Sequence, residues 1–362
     1  MWGPDPQWVR ICPGRSWAPH DAQTDESWSG DSVINTLQPK RADRTLTATN
    51  QEKAETVVVV DHLRKQYGNT VAVGDVSFSV SEGEIFGIIG PNGAGKTTTV
   101  ECISGLRTPD SGSVSVYGLS PQKERKRIRQ FVGVQLQESQ LPPRLKVGEA
   151  LRLFASFYPD PLDPDELLES LGMKKIEDLI FKNLSGGQKQ RLSIALALVG
   201  RPKIAVLDEL TTGLDPEARR ETWVLIEGIR RGGATVILVT HFMDEAERLC
   251  DRLALINNGT LAVLDTPEAV AATAGGTRVR FVPSRQVDDA TLLAIPGVTQ
   301  VERKERYVTV VGTGDLALSL MSSLAKIGVG VSELEAKKGS LDDAFVELTR
   351  GDRLKASGGD QG

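Results

Sequence analysis

Apolar and polar residues follow two different periods along the middle of the chain. Residues 85–89 and 204–207 are short, continuous apolar runs, as expected for strands of a parallel sheet that is covered on both faces. After residue 185 the apolar residues recur at helical spacing, and they include Leu192, Ala195, Leu196 and Val199. Strands that alternate with helices predict an α/β fold with a parallel sheet.

The pattern changes after the glycine pair at 275–276. Strands are predicted at 277–282, 298–302, 307–311 and 329–334, and helices at 288–293 and 315–326. The resulting order, βαββαβ, is that of a small ferredoxin-like α+β module. A last helix is predicted over 340–348, and this part of the chain shows no catalytic constellation.

The first 55 residues follow neither period. Trp2, Trp8, Trp17 and Trp28 are scattered among proline, serine, aspartate and arginine, which predicts a disordered extension without the apolar core of a secretory signal. Because no methionine occurs between residues 1 and 173, a start near Val57 would remove the extension and leave the following domain whole. Peptides from before Thr56 in the native protein would exclude this hypothesis of a misplaced start.

Composition limits the classes of function. With 362 residues, of which 40% are hydrophobic and 25% charged, the chain is long enough for two domains and a tail. A net charge of −5 argues against broad binding of nucleic acid, and no apolar run approaches the roughly 20 residues that span a bilayer, which predicts a soluble chain. Cys12, Cys102 and Cys250 lack metal-ligand spacing and predict a reducing compartment without a disulfide framework.

A glycine-rich loop follows the first apolar run. Residues 90–97 match G-x-x-x-x-G-K-[ST] between a strand and a helix, which is the context of a nucleoside triphosphate site. The glycines let successive N–H groups surround phosphates, Lys96 supplies a positive charge, and the Thr97 hydroxyl can hold Mg²⁺. We expect ATP to contact Gly90, Pro91, Asn92, Gly93, Ala94, Gly95, Lys96, Thr97 and Thr98.

The second apolar run ends in Asp208 and Glu209. Adjacent residues of a strand point to opposite sides, so one carboxylate can face a metal ion and the other an attacking water. Alone, the pair is equally typical of an ordinary acidic strand end. Together with the phosphate loop, it predicts Asp208 as a Mg²⁺ ligand and Glu209 as the base.

A Ser-Gly-Gly-Gln turn, residues 185–188, lies between the phosphate loop and this acidic pair. The turn opens a helix, so its bare N–H groups, its hydroxyl and the helix dipole suit a phosphate as well as an ordinary helix cap. The chemistry of the turn leaves both alternatives open. The five residues from Leu184 to Gln188, however, resemble the signature motif of ABC-type ATPases.

Further landmarks of that family appear in the family's order. Tyr67 resembles the aromatic residue that stacks on adenine, Asp215 the aspartate of the D-loop, and His241 the switch histidine. Gln137 resembles the Q-loop glutamine; Gln135 is the alternative, and we prefer Gln137 because the family places its glutamine at the strand end.

Residue 210 departs from the family. Leu210 stands where proline usually follows the catalytic glutamate, which frees an N–H group and some backbone motion. We expect the change to affect the rigidity of the turn and the rate, and not to abolish hydrolysis, because both acids and Asp215 are in place.

The resemblance implies an ATPase that works as a pair. In such proteins the signature motif of one subunit closes over ATP on the phosphate loop of the other, so one copy of each motif implies a dimer with two composite sites. The residues that would face the partner's ATP are Ser185, Gly186, Gly187 and Gln188. The roles implied are water activation by Glu209, Mg²⁺ binding by Asp208, Thr97 and Gln137, and detection of the γ-phosphate by His241.

Three regions bear on what the ATPase is attached to. Mainly helical inserts are predicted between residues 142 and 181, the region that meets the permease in ABC proteins. The basic run 123–129 is either a solvated helix face, which we favour, or a contact for membrane headgroups. The part after residue 276 resembles the accessory domain of daunorubicin/doxorubicin-type (ABC-2 type) exporter ATPases.

We therefore predict an ABC ATPase domain with a helical subdomain over 56–275, an accessory domain over 276–350 and a disordered tail over 351–362. The resemblance implies a homodimeric exporter subunit at the cytoplasmic face of the membrane, docked on a separate permease that carries a drug-like or lipid-like compound. A soluble ABC ATPase acting on nucleic acid or the ribosome, and an importer subunit, are the alternatives. The former is disfavoured by the single uninterrupted cassette and the acidic balance.

Overall fold

The computed structural model describes residues 55–135, 141–273 and 276–346, together with Thr36 and Leu348. Apart from Thr36 and Glu55, the extension predicted over 1–55 lies outside the described residues, as does the tail predicted over 351–362. The described residues form two separate β-sheets with helices packed against them.

Within the described residues, the larger sheet has nine strands: β1 (Thr56–Tyr67), β2 (Thr70–Ser81), β3 (Ile85–Ile89), β4 (Ser111–Val116), β5 (Val132–Gln135), β6 (Ile204–Asp208), β7 (Thr235–Thr240), β8 (Arg252–Asn257) and β9 (Thr260–Asp265). Their order is β4-β1-β2-β9-β8-β3-β7-β6-β5. The strands from β8 to β5 are parallel neighbours, and every residue of β3, β6 and β7 is buried. The predicted parallel sheet is confirmed, and its carboxyl edge is where ligands bind in such folds.

Helices cover this sheet: α1 (Lys96–Ile103), α2 (Arg125–Ile128), α3 (Val147–Ala155), α4 (Pro164–Ser170), α5 (Gly186–Leu198), α6 (Pro216–Arg231), α7 (Met243–Leu249) and α8 (Pro267–Thr273). Two short helices, α3 and α4, and two 3₁₀ turns, Lys174–Ile176 and Phe181–Asn183, lie between β5 and α5, which confirms the predicted helical insert. The basic run 123–129 contributes a single turn, α2, whose Ile128 is buried while its basic side chains are exposed.

The smaller sheet consists of β10 (Thr277–Pro283), β11 (Val298–Lys304), β12 (Tyr307–Gly312) and β13 (Val331–Lys338), and its helices are α9 (Asp289–Leu293) and α10 (Leu316–Lys326). The strand order is β11-β12-β10-β13, with all neighbours antiparallel. Alternating residues such as Val279 and Phe281 turn inward onto α10, as the period of two requires. The element order βαββαβ and the ferredoxin-like fold are confirmed.

The last helix, residues 341–346, returns to the larger unit. Leu341 and Ala344 are fully buried in the same apolar cluster as Met243, Ala246 and Leu249 of α7. The backbone N–H of Leu341 donates to the Glu247 carboxylate at 2.6 Å, so an acid from α7 caps this helix. The chain after β13 is thereby attached to α7, which begins two residues after His241.

No helix among the described residues is both long enough and apolar enough to cross a bilayer.

Candidate functional site

The phosphate loop joins β3 to α1 through residues whose backbone demands glycine. Gly93 has a φ of 81° and Gly95, the N-cap of α1, has a φ of 100°. A Cβ atom on Gly95 would lie 2.3 Å from the carbonyl oxygen of Ala72, so another residue would not fit without a shift of the backbone. The loop therefore keeps its N–H groups at the start of α1, where the helix dipole favours an anion.

Lys96 is buried at the centre of this loop, with 4% of its side chain exposed. Its Nζ donates to the carbonyl oxygens of Gly90 at 2.9 Å and Pro91 at 3.1 Å, and lies 3.7 Å from Oε1 of Glu209. Burial lowers the pKa of Lys96, while Glu209 and Asp208 act in the opposite direction. The Lys96 ammonium is thus held by carbonyl oxygens that the oxygens of a phosphate group can replace.

Asp208 ends β6 with its side chain fully buried. Neither carboxylate oxygen has a hydrogen-bond partner of ordinary geometry among the described residues. Burial raises the pKa of Asp208 to about 6, although the nearby Thr97 hydroxyl and Lys96 favour the ionised form. Two buried carboxylate oxygens beside a threonine hydroxyl are the donor set that Mg²⁺ takes, so this observation fits a divalent cation.

Glu209 is the next residue, and its side chain lies near Lys96 of the phosphate loop and near His241, which opens the segment after β7 (residues 241–244, the switch segment). Its backbone is left-handed, with a φ of 50°, and its N–H donates to Val239 of the neighbouring strand at 2.9 Å. Oε1 lies 3.3 Å from Nδ1 of His241, which follows β7. Lys96 at the start of α1, Glu209 after β6 and His241 after β7 are therefore brought together.

The Ser-Gly-Gly-Gln turn forms a capping box at the start of α5. The N–H of Gln188 donates to the Ser185 hydroxyl at 3.3 Å, and the N–H of Ser185 donates to the Gln188 amide oxygen at 3.0 Å. Ser185 and Gly186 are exposed. The sequence left two alternatives for this turn, a helix cap and a phosphate site. The structure shows the helix cap, and the start of α5 is exposed on the surface.

Two predicted nucleotide contacts also lie on the surface. Asp215 caps α6, since its Oδ1 accepts from the N–H groups of Glu217 at 3.0 Å and Ala218 at 2.9 Å. Tyr67 ends β1 with 40% of its surface exposed, and the Lys65 ammonium lies 5.6 Å from its ring centre. A partly exposed aromatic ring at a strand end is suited to stacking on a base.

The Q-loop prediction falls partly outside the described residues. Gln137 lies outside the described residues. Gln135 is the last residue of β5 and is 4% exposed. Its Oε1 accepts from the backbone N–H of Asp208 at 3.0 Å, which fixes the end of β6 next to the site. Gln135 is thus a residue that holds Asp208 in place, a role that the sequence pattern did not predict.

Two further features beside the site were missed by sequence reasoning. Leu210 is fully buried and packs in the main apolar core, so the residue that replaces the usual proline fills space as well as freeing an N–H group. Glu245 is a fully buried carboxylate on α7, bonded to Trp223 of α6. The sequence shows a glutamate four positions after His241, but it does not show that this side chain is buried, because charged side chains are usually exposed.

The chain resembles known proteins over most of its length. Residues 73–212 match the ABC transporter family. The chain is 32% identical over 309 residues to the daunorubicin resistance ATP-binding protein DrrA3 of Streptomyces coeruleorubidus, covering 83% of this chain and 98% of that protein. It is 40% identical over 297 residues to a Nod factor export ATP-binding protein I of Burkholderia orbicola, with 80% and 95% covered. It is 30% identical over 301 residues to the linearmycin resistance ATP-binding protein LnrL of Bacillus subtilis, with 80% and 97% covered.

Solved structures resemble the chain over part of its length. One, described as the ATP-binding subunit of an ABC transporter, has a TM-score of 0.55 at 30% identity, covering 61% of this chain and 94% of that one. A dimeric ATP-binding cassette in a post-hydrolysis state, bound to ADP and Pi, has a TM-score of 0.53 at 25% identity, with 58% and 98% covered. The chain therefore belongs to the ATP-binding proteins of ABC transporters and is an ATP-hydrolysing member of the group that includes the daunorubicin resistance proteins.

Proposed function

We propose that this chain powers an exporter, using ATP hydrolysis to drive a drug-like or lipid-like compound through a separately encoded permease. The observation that carries the proposal is the meeting of Lys96, Glu209 and His241 at the carboxyl edge of the sheet, beside the buried Asp208 carboxylate, whose oxygens have no hydrogen-bond partner of ordinary geometry among the described residues. Relatives similar over most of the chain are a daunorubicin resistance, a linearmycin resistance and a Nod factor export protein, which favours export.

The residues of the site divide the chemistry among them. ATP, when bound, supplies the γ-phosphoryl group that passes to water. Lys96 exchanges the carbonyl oxygens of Gly90 and Pro91 for phosphate oxygens and neutralises their charge. Glu209 orients the attacking water and accepts its proton, and His241 donates a hydrogen bond to the γ-phosphate and registers its loss.

Asp208 and Thr97 are the residues that would hold Mg²⁺, together with Gln137, which lies outside the described residues. The ion, when bound, neutralises charge on the phosphates. Asp208 serves this role only when ionised, so its raised pKa couples cation binding to the loss of a proton. Tyr67 would stack on the adenine.

A second copy of the chain would complete each site. Ser185 and Gly186 are exposed at the start of α5, where N–H groups and a positive dipole are available to the phosphate held by a partner. Asp215 lies on the surface at the start of α6. A resembling cassette is dimeric in a post-hydrolysis state, which supports a nucleotide-dependent dimer.

We further infer the division of the chain into an ATPase domain over 56–275 and an accessory domain over 276–350, and a location at the cytoplasmic face of the membrane. The two sheets, with separate apolar clusters, support the division. The site residues and the family support the location, because the permease must be reached from the side where ATP is present.

Affinity purification tests the proposal. Tagged full-length protein and its Glu209→Gln variant are recovered from mild-detergent extracts, and the co-purifying proteins are identified by mass spectrometry. A polytopic membrane protein in both samples, enriched with the variant in the presence of ATP, is the expected result. Ribosomal or DNA-bound partners without a membrane protein would instead favour a soluble ABC ATPase, and an associated solute-binding protein would favour an importer.

A further inference from the structure

Glu245 is a buried carboxylate that lies outside the phosphate-binding site. Its exposure is 0%, and Nε1 of Trp223 donates to its Oε1 at 3.2 Å. The hydroxyl groups of Thr240 and Thr211 are near enough to favour its ionised form, while burial raises the pKa of Glu245. A carboxylate buried in this way costs free energy unless donors surround it, and here the donors come from three different segments.

Each of those segments leads to a residue of the site. Thr211 is two positions after Glu209, Thr240 immediately precedes His241, and Trp223 belongs to α6, which starts at the D-loop. The Thr240 hydroxyl also accepts the N–H of Phe242 at 3.0 Å, so one hydroxyl connects the carboxylate to the peptide that follows His241. Glu245 therefore lies against the residue before His241 and is linked to the peptide after His241 only through the Thr240 hydroxyl.

A second set of contacts joins α6 to the same switch segment. The Arg219 guanidinium lies 4.5 Å from the ring centre of Phe242, and its NH1 lies 3.3 Å from Asp244. Arg248, one turn after Glu245, lies over the Trp223 ring at 5.7 Å. The switch segment and α6 are thus packed as one unit, with Glu245 as the buried polar contact inside it.

The contact with Thr211 is incomplete. Among the described residues, neither the Thr211 hydroxyl nor Oε2 of Glu245 has a hydrogen-bond partner of ordinary geometry, although both atoms are buried. A hydrogen bond from this hydroxyl to Oε2 would satisfy both groups. The pair therefore favours one position of the turn after Glu209 relative to the switch segment.

We propose that Glu245 is a positioning residue for ATP hydrolysis, which holds His241 and the turn that contains Glu209 in register with each other and with α6. It acts through Thr240 and Thr211, not by contact with the reacting atoms. A leucine of similar size would fill the same volume without the desolvation cost of a carboxylate, so packing alone does not require an acid here. The proposal rests on ATP hydrolysis by this chain.

Steady-state kinetics of Glu245→Leu tests the proposal, with Glu84→Leu as the matched control. Glu84 is also a largely buried carboxylate whose pKa is raised by burial, but it is bonded to the Ser81 backbone and Arg252, away from the switch segment. We expect Glu245→Leu to lower kcat by about tenfold to a hundredfold with the KM for ATP changed less than about twofold. The control should lose thermal stability and keep both kinetic constants.

Glu245→Gln is expected to recover part of kcat, because its amide oxygen can still accept from Trp223 while its amide nitrogen cannot accept from a threonine. A Glu245→Leu variant with wild-type kcat, or one whose kcat falls only as its folded fraction falls, would overturn the proposal.

Trp223 fluorescence gives a readout that does not depend on turnover. In full-length protein with Trp2, Trp8, Trp17 and Trp28 changed to phenylalanine, Trp223 is the sole tryptophan. We expect MgATP to change its emission, and Glu245→Leu to abolish that change while the Kd for ATP, measured separately with a fluorescent nucleotide, stays unaltered. An unchanged response in the variant would contradict the proposal. A wild-type protein that gives this response without hydrolysing ATP would count against the proposed function alone.

Discussion

The Nδ1 atom of His241 lies 3.3 Å from Oε1 of Glu209. The same carboxylate oxygen is 3.7 Å from the Lys96 ammonium, so the proposed base is held between the two groups that are expected to engage the γ-phosphate. We expect binding of a triphosphate to supply new partners to Lys96 and His241 and so to release Glu209 toward water. The arrangement predicts that Glu209 is central to turnover and dispensable for nucleotide binding.

Glu209→Gln should therefore bind ATP and hydrolyse it poorly. The amide keeps the size of the side chain but does not accept the proton of the attacking water, so we expect kcat to fall by at least about a hundredfold. Because the nucleotide is retained, the variant should accumulate as a dimer in MgATP, measured by light scattering after size exclusion. Glu302→Gln, at an exposed position of β11, is the control. Unchanged turnover in Glu209→Gln would remove Glu209 as the base.

Asp208→Asn should stabilise the nucleotide-free protein while abolishing hydrolysis. The folded-state pKa of about 6 is above the ordinary value of 3.8, so the native carboxyl binds more protons than the unfolded one between these values. The contribution of Asp208 to the free energy of unfolding consequently falls as pH rises from about 4 to about 6. Above about pH 6 the buried carboxylate is ionised, and its full destabilising effect on the folded state is present.

The variant removes that cost, so we expect it to be about 1 to 3 kcal/mol more stable than the wild type at pH 7 to 8, with the difference disappearing near pH 4. Urea unfolding across this pH range measures it, with exposed Asp61→Asn as the control. A variant less stable than the wild type at pH 8 would show that Asp208 is satisfied by contacts within the fold. Mg²⁺ affinity of the wild type should also weaken as pH falls below about 6.

Local signals in the sequence predicted most of the site. The phosphate loop, the acidic pair and the Ser-Gly-Gly turn each combine a strand or helix end with residues of defined chemistry, and such ends converge at one edge of a parallel sheet. The order βαββαβ could also be predicted from the sequence, because the alternation of Val279 and Phe281 and the helical spacing near residue 320 are short-range patterns.

Contacts between distant segments could not be predicted in the same way. Gln135 accepts from Asp208, Trp223 donates to Glu245, and Leu210 packs into the core, and each contact depends on which elements become neighbours. Isolated polar residues are usually exposed, so nothing in the local pattern marked Glu245 as buried. The last helix was predicted, but its return to α7 was not, because its amphipathic pattern indicates only that one face is covered.

Tyr67→Ala should weaken ATP binding without preventing folding. The ring is 40% exposed, so its removal leaves little cavity, but it removes the proposed stacking surface for adenine. Stacking of a base on an aromatic side chain contributes about 1 to 3 kcal/mol, so we expect the Kd for ATP to rise by about fivefold to a hundredfold. Tyr67→Phe keeps the ring and should bind nearly as the wild type does. Fluorescent-nucleotide titration distinguishes them, and equal affinity in Tyr67→Ala would place the adenine elsewhere.

Leu341→Ala should destabilise the ATPase part of the chain, although the residue follows the accessory sheet. Leu341 is fully buried in the cluster that contains Met243 and Leu249 of α7, so its truncation leaves a cavity in the main core. Truncations of this kind cost about 2 to 5 kcal/mol of unfolding free energy. Leu334→Ala, the same change at a position that is 45% exposed on β13, should cost less than about 1 kcal/mol. Urea unfolding of both variants, followed by Trp223 fluorescence in the single-tryptophan background, measures the difference at α6, which packs on α7. If the two variants were equally stable, the last helix would make no energetic contribution to the ATPase core, and its contact with α7 would be a weak surface association.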